Sequence, residues 1–113
     1  MADPCLFCRI VAKEIPATIV AETDDCVAFR DINPQAPTRI LVIPKAHVTS
    51  VNDANDAAML GRLVLVARDL ARAEGLAERG YRLVMNTNAD AGQTVWHVHL
   101  HLLGGRSMTW PPG

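Results

Sequence analysis

The sequence lacks any long apolar segment: its longest apolar strings, such as residues 40–43, are far too short to span a bilayer. No basic segment followed by an apolar stretch stands near its beginning, so we expect no secretory signal peptide. Internal repeats, low-complexity runs and linker-like stretches are also missing. These absences predict a cytoplasmic protein with no membrane partner, whose residues 1–113 form a single domain.

An excess of charge of either sign is lacking as well. Eleven lysine and arginine residues stand against twelve aspartate and glutamate residues, which gives a net charge of -1. Broad nucleic-acid binding requires a basic face, so we expect no nucleic-acid partner. A pocket for one small nucleotide needs only a few local donors and stays possible.

Cysteine is scarce, with only Cys5, Cys8 and Cys26 in the chain. An odd number of cysteines without an export signal argues against a disulfide framework and favours free thiols or a metal site. Cys26 falls within a predicted strand and is expected to be an inert core residue.

Hydrophobic residues make up 50% of the sequence, enough for a folded core, and their spacing predicts an α+β fold. We expect a five-stranded, mainly antiparallel sheet with one long helix and a short N-terminal helix, because the connections are mostly of hairpin length. The predicted helices span 6–13 and 55–74, and the predicted strands span 18–21, 26–30, 39–43, 81–85 and 94–103. Turn-forming residues place loops at 31–37 and 86–93.

Three of the four histidines, His97, His99 and His101, alternate along the last predicted strand. Side chains on a strand alternate between its faces, so the three imidazoles are expected to share one face. The other face is apolar and is expected to pack on a helix layer; it carries Trp96, Val98, Leu100 and Leu102.

The residues alone leave three interpretations of these histidines open. They form a solvent-exposed face, or they converge on one metal ion, for which histidine is a common ligand. Alternatively, one is a nucleophile supported by its neighbours, since a neutral imidazole with a pKa of about 6.5 attacks phosphorus well near neutral pH.

The pattern His-x-His-x-His followed by two apolar residues, at 97–103, resembles the signature of the histidine triad (HIT) family. Further segments resemble its nucleotide-binding branch, the Hint proteins, over residues 7–113. They are Phe-Arg-Asp-Ile-Asn-Pro-Gln-Ala-Pro-Thr at 29–38, Leu-Val-Ile-Pro-Lys at 41–45, Ala-Gly-Gln-Thr-Val at 91–95, Gly-Gly-Arg at 104–106 and Met-Thr-Trp-Pro-Pro-Gly at 108–113. This resemblance implies a homodimeric purine nucleoside phosphoramidase that binds an AMP-type ligand. Such an enzyme hydrolyses adenosine 5′-monophosphoramidate and similar substrates through a covalent nucleotidyl-histidine.

The resemblance also implies catalytic roles. His99 attacks the α-phosphorus, while the backbone carbonyl of His97 accepts the second N–H of its ring and fixes its tautomer. His101 donates to a non-bridging phosphate oxygen, where charge accumulates. Thr94 supplies a hydroxyl beside the leaving group.

For the nucleotide, the resemblance implies that Asp31 binds the ribose hydroxyls and Asn86 lies near the phosphate. Gly92 and Gln93 lie in the loop that wraps the phosphate, where glycine permits close backbone approach. The apolar slot for the base consists of Phe7, Phe29, Ile32 and Leu41. Simpler roles stay open: Asp31 as the cap of a turn, and Phe29 and Leu41 as core residues.

Trp110, by the same resemblance, reaches towards the active site of the partner subunit, or else it only packs at the dimer interface.

Cys5-x-x-Cys8 resembles the pattern of many bacterial relatives, in which two cysteines join two histidines. The matching set is Cys5, Cys8, His47 and His97, which suits a structural, tetrahedral zinc ion. Free thiols or a redox pair are the alternatives.

One residue departs from the family pattern: the loop commonly reads Gln-Ala-Pro-x-His, and Arg39 replaces the histidine. Arginine is always charged, so if this position lies near the site we expect a substrate preference shifted towards a more anionic group. Two rival functions are a zinc-dependent hydrolase with the triad on a catalytic metal and a non-enzymatic purine nucleotide sensor or adaptor.

Overall fold

A computed structural model describes residues 5–31 and 36–113. Its elements are the helices α1 (Leu6–Val11) and α2 (Ala57–Ala73) and the strands β1 (Ile19–Glu22), β2 (Cys26–Arg30), β3 (Thr38–Pro44), β4 (Tyr81–Val84) and β5 (Leu100–Gly104). The strands form one antiparallel sheet in the order β1-β2-β3-β5-β4. The predicted fold class is therefore confirmed.

Helix α2 is capped at its N-terminal end by Asp56, the residue that precedes it. The Asp56 carboxylate accepts a hydrogen bond from the Met59 backbone N–H at 3.0 Å, which satisfies one of the free donors of the first turn. The apolar stripe of α2 then faces the sheet, and Leu63, Ala67 and Ala71 are fully buried there.

The last strand is shorter than predicted, because it begins at Leu100 and not at residue 94. Residues 95–97 bend, with the His97 N–H donating to the Val95 carbonyl, and the Val98 N–H then donates to Val48 at 2.7 Å. Hydrogen bonds to a loop thus replace the sheet ladder over this stretch. The bend leaves Trp96 47% exposed, so its predicted place in the apolar layer is wrong.

The two faces of the sheet carry different layers. Helix α2 covers one face, where Val98, Leu100 and Leu102 pack as predicted and Cys26 is 1% exposed. Helix α1 covers part of the other face with a smaller apolar cluster, comprising Phe7, Ile10, Val27, Phe29, Leu41 and Ile43. His101 stands opposite Leu41 in the β3–β5 register, so it belongs to the α1 face.

Neither α1 nor α2, the helices within the described residues, is long and apolar enough to cross a membrane. Most of the predicted loop 31–37, including Ile32, lies outside the described residues.

Candidate active site and metal centre

His99 is held in one tautomer by the backbone next to it. Its Nδ1 lies 2.7 Å from the carbonyl oxygen of His97, and its side chain is only 7% exposed. A carbonyl oxygen can only accept, so Nδ1 carries the proton and donates it. Nε2 consequently keeps a lone pair, which is the arrangement that nucleophilic attack requires.

The surroundings of His99 keep its imidazole neutral. Phe7 packs edge-on against the ring, with centroids 5.0 Å apart. Burial lowers the pKa of His99 below 6.5, although the hydrogen bond to His97 acts in the opposite direction. Near neutral pH the ring is therefore unprotonated at Nε2 and able to attack an electrophile.

His101 lies beside His99, with the ring centroids 4.9 Å apart. Its Nδ1 is 3.4 Å from Nη2 of Arg39, and its buried Nε2 has no hydrogen-bond partner among the residues that the structure describes. Burial, together with the neighbouring His99 and Arg39, lowers the pKa of His101 to about 4. His101 is thus a neutral imidazole in the working range of most enzymes.

We expect this low pKa to make the free energy of unfolding depend on pH. Because the folded-state pKa of about 4 lies below the ordinary value of 6.5, protonation favours the unfolded chain. The free energy of unfolding has its full value above pH 6.5 and falls by about 3 kcal/mol as the pH drops towards 4. Urea unfolding at several pH values should show a steeper loss for the wild type than for His101→Asn. Parallel curves for the two proteins would contradict the expectation.

A cavity of about 380 Å³ opens on the α1 face of the sheet. It brings together many of the residues predicted to bind a nucleotide: Phe7, Phe29, Asp31, Leu41, Thr94, His99 and His101. Apolar residues that the sequence did not single out, Ile10 and Ile15 among them, complete one wall. The cavity thus combines an apolar end with a polar end at the histidines, a combination typical of small-ligand sites.

Four other predicted residues, all described, do not line this cavity: Asn86, Gly92, Gln93 and Trp110. Gly92 adopts a φ of 90° at the end of a short 3-10 turn, and its N–H donates to Ala89.

Gln93 is buried, and its amide ties the surrounding loop together. Its oxygen accepts from the Asn88 N–H, and its nitrogen donates to the Thr49 and Val95 carbonyls. The Gln93 side chain therefore organises the loop in this structure.

Trp110, another of the four residues outside the first cavity, is 83% exposed.

Arg39, the residue that departs from the family pattern, does lie at the site. This position was the condition for any effect of Arg39 on substrate preference. Its Nε is 3.0 Å from a carboxylate oxygen of Asp31, and both side chains are less than one-fifth exposed. The expected preference for a more anionic substrate assumed an uncompensated guanidinium. Because Asp31 balances that charge, the ion pair as a whole is neutral and the basis for this expectation is weakened.

Thr94 stands between this cavity and a second one of about 520 Å³, since it lines both together with Val95 and Leu6. The second cavity is otherwise bounded by Cys5, His47, Thr49 and Trp96. Sequence reasoning missed Val95 and Trp96, and only their position next to Thr94 in the chain could have indicated them.

Cys5, Cys8, His47 and His97 form a compact cluster, in which one ligand atom of each lies within 4.8 Å of the others. Nδ1 of His97 is 3.5 Å from both thiol sulfurs, and Nδ1 of His47 is 3.2 Å from the sulfur of Cys8. In tetrahedral zinc coordination, sulfur and nitrogen ligands are separated by about 3.6 Å. The four residues can therefore hold a metal ion, and their spacing fits zinc.

The protonation state of His97 fits the same conclusion. Its Nε2 lies 2.8 Å from the Pro44 carbonyl oxygen, to which it donates its proton, so Nδ1 faces the sulfurs with a lone pair. Metal-bound histidines commonly donate their second N–H in this way. Cys5 is also the N-cap of α1, where its sulfur accepts from the Cys8 N–H.

Comparisons with known sequences and structures found similar proteins. The HIT domain family model matches residues 12–108. The purine nucleoside phosphoramidase of Escherichia coli K12 is 52% identical over 110 residues, which cover 96% of this chain and 92% of that protein. An uncharacterised HIT-like protein of Synechococcus elongatus is 52% identical over the whole of both chains. The crystal structure of a HIT family hydrolase from Legionella pneumophila is similar with a TM-score of 0.94 and 58% identity, over 96% of this chain and 99% of that one.

Proposed function

Because the chain belongs to the HIT family and is a hydrolase, we propose that it is a purine nucleoside phosphoramidase acting on adenosine 5′-monophosphoramidate-type substrates. The observation that carries the proposal is the hydrogen bond from Nδ1 of His99 to the His97 carbonyl oxygen, which leaves Nε2 as a nucleophile. Nε2 of His101 beside it, which has no hydrogen-bond partner among the described residues, supports a role as donor to a phosphate oxygen.

In the proposed reaction, the Nε2 lone pair of His99 attacks the α-phosphorus and the P–N bond breaks. The leaving nitrogen takes the bonding electrons, receives a proton from solvent and departs as an amine. Water then attacks the phosphorus of the nucleotidyl-histidine and releases one proton to solvent. The P–Nε2 bond breaks with its electrons returning to Nε2, and the nucleoside monophosphate leaves with His99 restored. Throughout, His101 donates to a non-bridging oxygen.

The two cavities support a division between the nucleotide and the amine. The base lies in the apolar part of the first cavity, against Phe7, Phe29 and Leu41, and Asp31 binds the ribose. Thr94, which borders both cavities, places its hydroxyl beside the leaving nitrogen. The amine then departs through the second cavity.

The zinc-dependent alternative requires all three triad histidines to share one metal. The side chain of His97 disfavours it, because Nδ1 faces the cysteines and Nε2 faces the Pro44 carbonyl. Neither nitrogen is directed to a metal shared with His99 and His101. We propose instead that zinc binds Cys5, Cys8, His47 and His97, where it supplies a structural cross-link between the N-terminal segment and the residues preceding β5.

The proposal extends to the assembly and its location: a cytoplasmic homodimer in which Trp110 reaches the partner subunit. The 83% exposure of Trp110 in the single chain supports a role in contacts with a second chain.

A slowly hydrolysed adenosine phosphoramidate tests the mechanism. Because the P–N bond of a nucleotidyl-histidine is acid-labile, the reaction is quenched rapidly in alkaline denaturant, and mass spectrometry of the wild type should then show one added nucleotide on the peptide that carries His99. His101→Asn is the matched control, because it removes the neighbouring imidazole and leaves the nucleophile. Tight nucleotide binding without any adduct or turnover would instead support the sensor or adaptor function.

A further inference from the structure

Arg39 is placed at the polar end of the first cavity by the alternation of β3. Leu41 and Ile43, two and four residues further along the strand, belong to the cluster on the α1 face, so Arg39 points to the same side. The Asp31 backbone N–H donates to the Arg39 carbonyl oxygen at 3.1 Å, which holds these two residues next to each other.

The Arg39 side chain joins two groups of the site. Its Nε lies 3.0 Å from an Asp31 carboxylate oxygen, and its Nη2 lies 3.4 Å from Nδ1 of His101. A guanidinium has five N–H donors and no acceptor, and it is not deprotonated in proteins. Nδ1 of His101 can therefore take part in this contact only as an acceptor.

This contact has a consequence for the other nitrogen of His101. A neutral imidazole carries one proton, and with Nδ1 as acceptor that proton resides on Nε2. Nε2 is the buried atom without a hydrogen-bond partner among the described residues, and His101 lines the cavity. The inferred donor thus belongs to a side chain of the cavity wall.

We infer that Arg39 is a positioning residue, which Asp31 anchors and which fixes His101 in the tautomer protonated at Nε2. A histidine at position 39, as in the common family pattern, would not impose this tautomer because it can accept as well as donate. The use of the Nε2 proton towards a phosphate oxygen rests on the proposed function; the tautomer itself does not.

Imidazole ¹⁵N NMR on the full-length protein, without substrate and at pH 7.5, tests the tautomer directly. In the wild type, the His101 signals should show a protonated Nε2 and an unprotonated Nδ1; the signals are assigned by their loss in His101→Asn. In Arg39→Met, the two tautomers should mix, and Arg39→Lys should restore part of the preference because lysine is also only a donor.

Arg62→Met is the matched control, since Arg62 on α2 also pairs with an aspartate, Asp25, but lines neither cavity. If Arg39→Met fails to fold because Asp31 loses the guanidinium of Arg39, the double variant Arg39→Met/Asp31→Asn removes both charges of the ion pair. A wild-type His101 protonated at Nδ1, or an unchanged tautomer in both Arg39→Met variants, would overturn the inference.

Kinetics separates this inference from the proposed function. With an adenosine phosphoramidate, Arg39→Met should lower kcat/KM by about 10- to 100-fold, while Arg62→Met stays at the wild-type value. Wild-type protein with the expected tautomer but no phosphoramidase activity would refute the function and leave the inference standing. A lost tautomer preference with unchanged kcat/KM would refute the link between the two.

Discussion

Replacing His99 by alanine is expected to lower kcat/KM for an adenosine phosphoramidate by at least about 10³-fold, because no other group in the proposed mechanism forms the bond to phosphorus. The fold should survive, since the lost contacts are those with Phe7 and His101 and the hydrogen bond to the His97 carbonyl, which together cost about 1–3 kcal/mol. Steady-state kinetics with circular dichroism and thermal unfolding measures both quantities.

The variant His99→Asn provides a stricter form of the same experiment. Its side-chain amide can still donate to the His97 carbonyl oxygen but has no nucleophilic lone pair on nitrogen. We expect it to be as inactive as His99→Ala and closer to the wild type in stability. Near-normal turnover in either variant would show that His99 is not the nucleophile.

Replacing Cys8 by serine is expected to abolish the proposed zinc binding and to remove a large part of the stability. Cys8 lies within 3.5 Å of ligand atoms on both His47 and His97, so its loss breaks the centre of the set. If free zinc exceeds its dissociation constant about 1,000-fold, the lost binding corresponds to about 4 kcal/mol. The zinc content found by metal analysis should fall from one ion per chain to none, and the Tm should decrease by on the order of 15 °C.

Cys26→Ala is the matched control for the metal centre, because it removes a thiol from the core and leaves the four ligands intact. This control should keep one zinc per chain. Undiminished zinc in Cys8→Ser would exclude the proposed site.

Chelation of the wild-type protein distinguishes a structural from a catalytic metal. We expect the metal-free protein to keep part of its turnover as long as it stays folded, since His99, the proposed nucleophile, is not one of the proposed metal ligands. Complete, metal-reversible loss of activity in a folded protein would favour the zinc-dependent hydrolase.

The fold was predictable to the extent that it depends on local patterns. The apolar spacing of α2 and the β-branched run of β3 are both visible in the sequence itself, and β2 has the bounds that were predicted for it. The start of β5 was not predictable, because residues 94–99 alternate like a strand and no local sequence pattern encodes the bend at 95–97. That bend depends on partners distant in the chain, such as the Val48 carbonyl.

The candidate site was predictable in its residues and less so in their contacts. The resemblance to a known family implied roles for His99 and for four candidate metal ligands. The structure brings those four side chains into one cluster and sets His99 against the His97 carbonyl. For Gln93 it could not give the direction of the side chain, which here turns into its own loop. Side-chain direction follows the path of the backbone, and a short sequence pattern does not specify that path.

By itself, the sequence determined which chemical groups are present and which faces of the sheet are apolar, because residue type and spacing depend only on chain order. The tertiary structure alone decided which groups each histidine of the triad contacts. It turns the His97 side chain to cysteines about 90 residues away while its carbonyl orients His99. It also set Arg39 between Asp31 and His101. The contacts of His97 with the cysteines and of Arg39 with His101 join distant parts of the chain, so they exist only once the sheet and its two helical layers have packed.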